Sequence, residues 1–228
     1  PMPVTLGHDG SGVVLEVGRE VTRFKPGEAV YGRIDSERIG TFAEFACFAE
    51  AALAAKPASL SHVQAASLPL AALTAWQALT EKAQVKPGAR VLIHAGSGGV
   101  GTLAIQLAKH LGAFVATTAS ARNADLLKGL GADQVIDYRS ERFDEMLSGI
   151  DMVFDTLGGE TRDRSFKLLN PGGVLVTVNG IPTPDIGKQY GMPFFMRWAM
   201  AAANLKPTRA AQKRAGRFAY LLMHPDGA

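Results

Sequence analysis

Gly96, Gly98 and Gly101 stand in the run Ala95-Gly-Ser-Gly-Gly-Val-Gly101, a spacing suited to one chemistry, the approach of bare backbone to a pyrophosphate. Context gives the spacing its weight. The apolar run at 91–93 has the length of a buried parallel strand, and Val100, Leu103, Ala104, Leu107, Ala108 and Leu111 follow at helical spacing. Gly112 supplies the C-terminal stop. The three glycines then serve a tight turn, room for phosphate and close helix-on-strand packing. Ser97, Gly99 and Val100 complete the loop, and the helix N-terminus offers unpaired N–H groups with the positive end of a dipole. The alternative is a glycine-rich turn with no ligand, and three correctly spaced glycines are a costly way to build one. A dinucleotide site is expected.

A second cluster bears on which dinucleotide. NAD sites place Asp or Glu at the end of the second strand, about 20 residues past the glycines, to accept from the ribose 2′-hydroxyl. Here that end reads Thr117-Thr-Ala-Ser-Ala-Arg-Asn123, with no carboxylate before Asp125. A 2′-phosphate would be repelled by an acid and welcomed by Ser120, Arg122 and Asn123. The plain alternative makes Arg122 a solvated residue in the first turn of a helix. Both signals favour NADPH over NADH.

The elements that must position these residues alternate. Strands are expected near 114–118, 134–137, 152–155 and 174–179, with helices near 123–130, 141–147 and 161–169. This alternation means right-handed crossovers and a doubly wound parallel sheet. A proline-rich loop (Pro182, Pro184) follows, then helices at 194–203 and 208–215 and a last strand at 218–223. Before the glycine loop the chain reads differently. It is β-rich and turn-rich, with an alternating strand after Gly7, short strands at 29–32 and 43–49, and a turn at 25–28. Ser61 is placed to cap a short helix, and a second helix is expected at 70–80. The expected division is 1–85 and 86–228.

Composition bounds the rest. The 228 residues are 47% hydrophobic and 20% charged, with 25 glycines and 12 prolines, which suits a globular protein rich in turns. No apolar run has membrane-spanning length, and nothing at the start reads as a signal peptide, so no membrane partner is expected. Cys47 is the only cysteine, which excludes an internal disulfide and a cysteine-rich metal site and fits a reducing, cytoplasmic setting. The net charge of +3 is uneven: from residue 188 onward seven Lys/Arg face one acid, Asp226. Without aromatic interleaving or a basic motif this reads as a solvated helix face, and a nucleic-acid partner is not expected.

Taken in order, several segments resemble the medium-chain dehydrogenase/reductase superfamily, in its zinc-free quinone oxidoreductase-like branch. They are Gly7-His-Asp-Gly-Ser-Gly-Val-Val-Leu-Glu-Val-Gly18, Phe24-Lys-Pro-Gly-Glu-Ala-Val-Tyr-Gly32 and Ala66-Ser-Leu-Pro-Leu-Ala-Ala-Leu-Thr-Ala-Trp76, then the glycine loop, Leu130-Gly-Ala-Asp133 and Asp155-Thr-Leu-Gly-Gly159. The resemblance implies a Rossmann doubly wound sheet preceded by part of a GroES-like β domain. It implies further residues before the Gly7 turn and after the last strand; a first residue other than Met fits truncation. It also implies cofactor contacts: Tyr138 near the adenine, Asp155, Leu157 and their loop bordering the crevice, Asn179 and Gly180 beside the nicotinamide, and Thr74 near its ribose or ring. Ordinary turn chemistry is the alternative at each.

Zinc-dependent relatives place a metal-binding histidine at the position of His8. A catalytic zinc needs three protein ligands, and the cysteine expected four residues before Thr74 is replaced by Leu70. No zinc is expected. Without that Lewis acid, the acceptor of hydride must already be electrophilic: a quinone or an α,β-unsaturated carbonyl, the expected small-molecule substrate. No Ser/His/Asp triad or paired carboxylates are legible, no catalytic acid is assigned, and His94 is expected to pack the strand end. The resemblance further implies a homodimer. A rival reading is an NADPH-binding protein with little turnover that holds RNA or a protein partner through its basic C-terminal segment.

Overall fold

The computed structural model describes residues 4–34 and 39–227. They form two units, one of residues up to 73 together with those from 223 onward, the other of residues 74–222.

In the first unit, β1 (Asp9–Val13), β2 (Ala29–Arg33) and β3 (Leu53–Ala55) make an antiparallel sheet in that order. Gly10 pairs with Gly32, and a Cβ on Gly32 would lie 2.1 Å from the Ala52 carbonyl oxygen, so the third strand closes only on a glycine. The strand expected at 43–49 is absent. Its alternation is real, but Phe45 is 71% exposed and no ladder pairs the segment among the described residues; β3 takes the third place instead. Short helix α1 (His62–Ala66) begins as expected at Ser61, whose hydroxyl accepts from the Gln64 N–H while the Gln64 side chain accepts from the Ser61 N–H. The Gly227 N–H donates to the Ala51 carbonyl at 2.8 Å, returning the chain's last residues to this unit.

The division falls inside α2 (Pro69–Gln77) rather than at 85/86, because Ala75, and then Ala78 and Leu79 in the following π-helical turn, are fully buried in the core of the second unit.

The second unit is a six-stranded parallel sheet. Its strands are β4 (Arg90–Ile93), β5 (Phe114–Ala119), β6 (Gln134–Asp137), β7 (Ile150–Asp155), β8 (Leu169–Thr177) and β9 (Arg217–Tyr220), in the spatial order β6-β5-β4-β7-β8-β9. Between them run α3 (Gly99–His110), α4 (Ala124–Gly129), α5 (Phe143–Met146), α6 (Gly159–Ser165), α7 (Pro184–Gln189), α8 (Phe194–Ala203) and α9 (Leu205–Gln212). Both faces are covered, so successive strand residues enter different cores. Val91, Ile93, Met152, Phe154, Val174 and Val176 pack with Ala104, Ile105 and Ala108 of α3. Leu92, Val153 and Leu175 pack on the other face with Phe166 and Ala211. This is the doubly wound pattern expected from the apolar runs. Helix α7 stands where a proline-rich loop was expected. Pro184 occupies its first position, where a missing N–H costs nothing, and Gly187 lets α8 close in, a Cβ there lying 2.9 Å from the Met200 sulfur.

Among the described residues no helix is long and apolar enough to cross a membrane.

Candidate dinucleotide-binding site

Since the six strands are parallel, their carboxyl ends share one edge. The winding reverses between β4 and β7, with β5 and β6 on one side and β8 and β9 on the other. Ligands of such sheets sit outside the carboxyl edge at that reversal. The glycine loop joins β4 to α3 there. A Cβ on Gly96 would lie 2.0 Å from the Thr117 hydroxyl oxygen, and one on Gly101 would lie 2.4 Å from the Ala95 carbonyl oxygen and within 2.9 Å of the Gly96 backbone. Packing therefore accounts for both. It does not account for Gly99, where a Cβ meets nothing within 4 Å. Ser97, Gly98 and Gly99 are exposed, and Val100 packs against the α3 core. No side chain caps α3, so the N–H groups of Gly99, Val100 and Gly101 lack intrahelical partners. Open space in front of free N–H groups and a helix dipole suits a phosphate.

On one flank, Ser120 follows β5 directly and is buried, and its carbonyl accepts the Asn123 N–H at 3.0 Å across a 3₁₀ turn. Arg122 on that turn is exposed, with no hydrogen-bond or ion-pair partner among the described residues. Tyr138 stands at the neighbouring strand end; its N–H donates to the Ala119 carbonyl at 3.3 Å and its side chain is exposed.

On the other flank, Asp155 is fully buried at the end of β7. Its Oδ1 accepts from the N–H groups of Leu157 (3.1 Å) and Gly158 (2.9 Å), and its Oδ2 from the Thr177 hydroxyl (2.8 Å). The Asn179 amide donates to the Leu157 carbonyl at 2.9 Å, and Gly180 follows with φ +106°. The Asp155 carboxylate is thus committed to shaping the loops that Leu157 and Asn179 expose. Replacing Asp155 by alanine removes the acceptor of two loop N–H groups and leaves the buried Thr177 hydroxyl only the Asn179 carbonyl at 3.2 Å; a loss of about 2 kcal/mol in unfolding free energy is expected by urea titration.

The structure therefore brings the glycine loop, Ser120, Arg122, Asn123, Tyr138, Asp155, Leu157, Asn179 and Gly180 to one sheet edge. Thr74 is on α2 and 7% exposed. His94, expected to pack the strand end, is fully buried: Nδ1 lies 3.0 Å from the Thr118 hydroxyl and Nε2 2.8 Å from the Ser165 hydroxyl. Burial lowers its pKa to about 4, with Asp155 opposing and Arg164 assisting. Sequence reasoning missed Thr118, Ser165 and Thr177; the available signal was hydroxyl residues at inward positions of apolar elements.

Comparison with known proteins gives this geometry a lineage. Residues 99–203 match the family model for zinc-binding dehydrogenases, and residues 1–58 that for the alcohol dehydrogenase GroES-like domain. The 2-methylene-furan-3-one reductase of Solanum lycopersicum is 41% identical over 192 residues, covering 81% of this chain and 49% of that protein. The quinone oxidoreductase of Coxiella burnetii superposes with a TM-score of 0.81 at 38% identity, over 99% of this chain and 65% of that one. The Escherichia coli quinone oxidoreductase, solved in complex with NADPH, superposes with a TM-score of 0.69 at 30% identity, over 91% of this chain and 68% of that one. The chain belongs to the medium-chain dehydrogenase/reductase superfamily. It spans about half the length of the curated relatives it matches.

Within this superfamily the three-stranded sheet is part of the GroES-like domain and the six-stranded sheet the Rossmann domain. His8 precedes β1, its carbonyl accepting the Ile34 N–H at 2.8 Å; Leu70 lies on α2 and Cys47 is exposed. Next to His8, burial raises the pKa of Asp9, whose Oδ2 accepts the Leu70 N–H at 3.2 Å. Among the described residues no three His, Cys, Asp or Glu side chains are grouped to hold a metal ion.

Proposed function

We propose that this chain belongs to an NADPH-dependent reductase that delivers hydride to a quinone or an α,β-unsaturated carbonyl without zinc. The observation that carries the cofactor choice is the end of β5, where the exposed and unpaired Arg122 stands beside Ser120 with no carboxylate. The N–H groups of Gly99, Val100 and Gly101 hold the pyrophosphate, Ser120, Arg122 and Asn123 hold the 2′-phosphate, and Tyr138 flanks the adenine. Leu157, Asn179 and Gly180 border the nicotinamide end, and Thr74 is assigned to its ribose or ring by family resemblance. Bound NADPH supplies the hydride to an electrophilic carbon, and a proton follows from solvent to the acceptor oxygen. Orientation and exclusion of water fall to the protein. Relatives named for a quinone and for a furanone support this acceptor class. Leu70 in place of a cysteine ligand supports zinc independence, and stoichiometric zinc in metal analysis would overturn it.

Fluorescence titration tests the cofactor reading. NADPH is expected to bind at least tenfold more tightly than NADH, with most of that preference lost in Arg122→Ala. Equal affinities would reduce Arg122 to a surface residue. A homodimer is proposed on family resemblance, with sedimentation as its test.

A groove of about 730 Å³ supports a second reading. Lys167, Lys206, Arg209, Lys213 and Arg214 line it, and the one carboxylate in its lining, Asp163, is engaged by Lys206 and Arg162. Such a surface suits an acidic partner or RNA. Salt-sensitive RNA binding with no NADPH oxidation across quinones and enones would favour this reading.

A further inference from the structure

Behind the glycine loop runs a polar chain that the proposed cofactor contacts leave unused. The Ser165 hydroxyl lies 2.7 Å from the Thr161 carbonyl, which can only accept, so its single proton points there and its oxygen receives His94 Nε2–H at 2.8 Å. His94 Nδ1 is then the acceptor for the Thr118 hydroxyl at 3.0 Å. With its proton so used, the Thr118 oxygen receives the Ala95 N–H at 3.3 Å. One direction of donation satisfies all four bonds, and it fixes the imidazole as the neutral Nε2–H tautomer.

This chain ends on the strained residue of the loop. Ala95 has φ +53°, a left-handed conformation that costs a residue bearing a side chain and persists only where its surroundings hold it. Thr118 holds it twice, through its hydroxyl on the Ala95 N–H and through its carbonyl on the Gly96 N–H at 3.0 Å. From Ala95 the chain turns to present the N–H groups of Gly99 to Gly101. We propose that His94 and Thr118 are positioning residues for the dinucleotide, setting the glycine loop through Ala95 and coupling it to α6 through Ser165. The inference rests on the dinucleotide reading above. It assigns a role to the inward hydroxyl of β5, where packing alone would be met by valine, and to the buried histidine, where packing alone would be met by leucine or phenylalanine.

The test combines amide hydrogen exchange on the free protein with NADPH titration at pH 7.5. Ser165→Ala removes the far end of the chain and touches neither the loop nor Thr118. It is expected to speed exchange at Ala95 and Gly96 at least fivefold and to weaken NADPH binding about fivefold. Thr118→Val should speed exchange at both residues and weaken binding about tenfold, and Thr118→Ser should restore both to within about twofold of the parent. Unchanged exchange at Ala95 and Gly96 in Ser165→Ala would overturn the coupling, whatever Thr118→Val does to folding. Faster exchange with unchanged NADPH affinity would overturn the role toward the cofactor. A parent protein that binds no NADPH would overturn the dinucleotide reading instead, and the exchange data would still decide whether the chain sets the loop.

Discussion

Alanine at Gly101 is expected to cost about 3 kcal/mol of folding stability and to abolish measurable NADPH binding, whereas alanine at Gly99 should leave stability within about 0.5 kcal/mol and still weaken binding tenfold or more. The two residues are two positions apart in one helix, and their surroundings separate them. A methyl group on Gly101 would sit 2.4 Å from the Ala95 carbonyl oxygen and 2.8 Å from the Gly96 Cα, both backbone, so the loop and α3 must move apart. The N–H groups then leave the place in which they face a ligand. A methyl group on Gly99 meets no protein atom within 4 Å, and alanine is the better helix former. Any loss of affinity there comes from crowding the ligand itself. Urea unfolding and fluorescence titration of both variants check the pair. A stable Gly101→Ala would mean that the loop has slack, and a Gly99→Ala that binds NADPH like the parent would put the pyrophosphate elsewhere.

Acidification should expose His94. Its folded pKa is lowered to about 4, first by burial, against an ordinary value of 6.5. Above pH 6.5 the imidazole is neutral in both folded and unfolded chains. Between 6.5 and about 4 the unfolded chain takes up the proton and the folded protein does not. Stability therefore falls toward acid by about 1.4 kcal/mol per pH unit, about 3 kcal/mol across the window, and flattens below it. The lowered carboxyls of Asp133, Asp144 and Asp163, held by Lys109, Arg164 and Lys206, lose their contribution only below the ordinary value of 3.8. The raised carboxyl of Asp9 works in the opposite sense, since the folded protein binds that proton first. Urea midpoints at pH 7, 5.5 and 4.5 should therefore slope downward in the parent and much less in His94→Asn. Equal slopes would show that the imidazole is solvated or already charged in the folded protein.

Much of the nucleotide-domain fold is written in local pattern. Apolar runs such as Val91 to Ile93 can be buried only between two helical layers, and the helical spacing from Val100 to Leu111 leaves α3 one face for the sheet. Turn glycines and the Ser61 cap act within a few residues, so they are legible without neighbours. The segment 43–49 shows where local pattern fails: it alternates like a strand, but a strand exists only when another edge pairs it, and β2 pairs β3 instead. Helix α7 was hidden for a related reason, because Pro182 and Pro184 at its start read as a break until Gly187 is seen against α8.

The candidate site divides in the same way. The sequence alone determined which residues are candidates for phosphate chemistry, since glycine spacing, the missing acid and Arg122 are matters of residue type along a few turns of chain. Only the tertiary structure decided what those residues rest on. That Gly96 and Gly101 are demanded by packing while Gly99 faces open space depends on atoms of β5 and the loop itself. That the Asp155 carboxylate ties its own loop to the neighbouring strand depends on Thr177, 22 residues away, and the tautomer of His94 on Ser165, 71 residues away. Hydrogen-bond direction and burial belong to pairs of groups, and such pairs exist only once the parallel sheet has brought distant strands side by side.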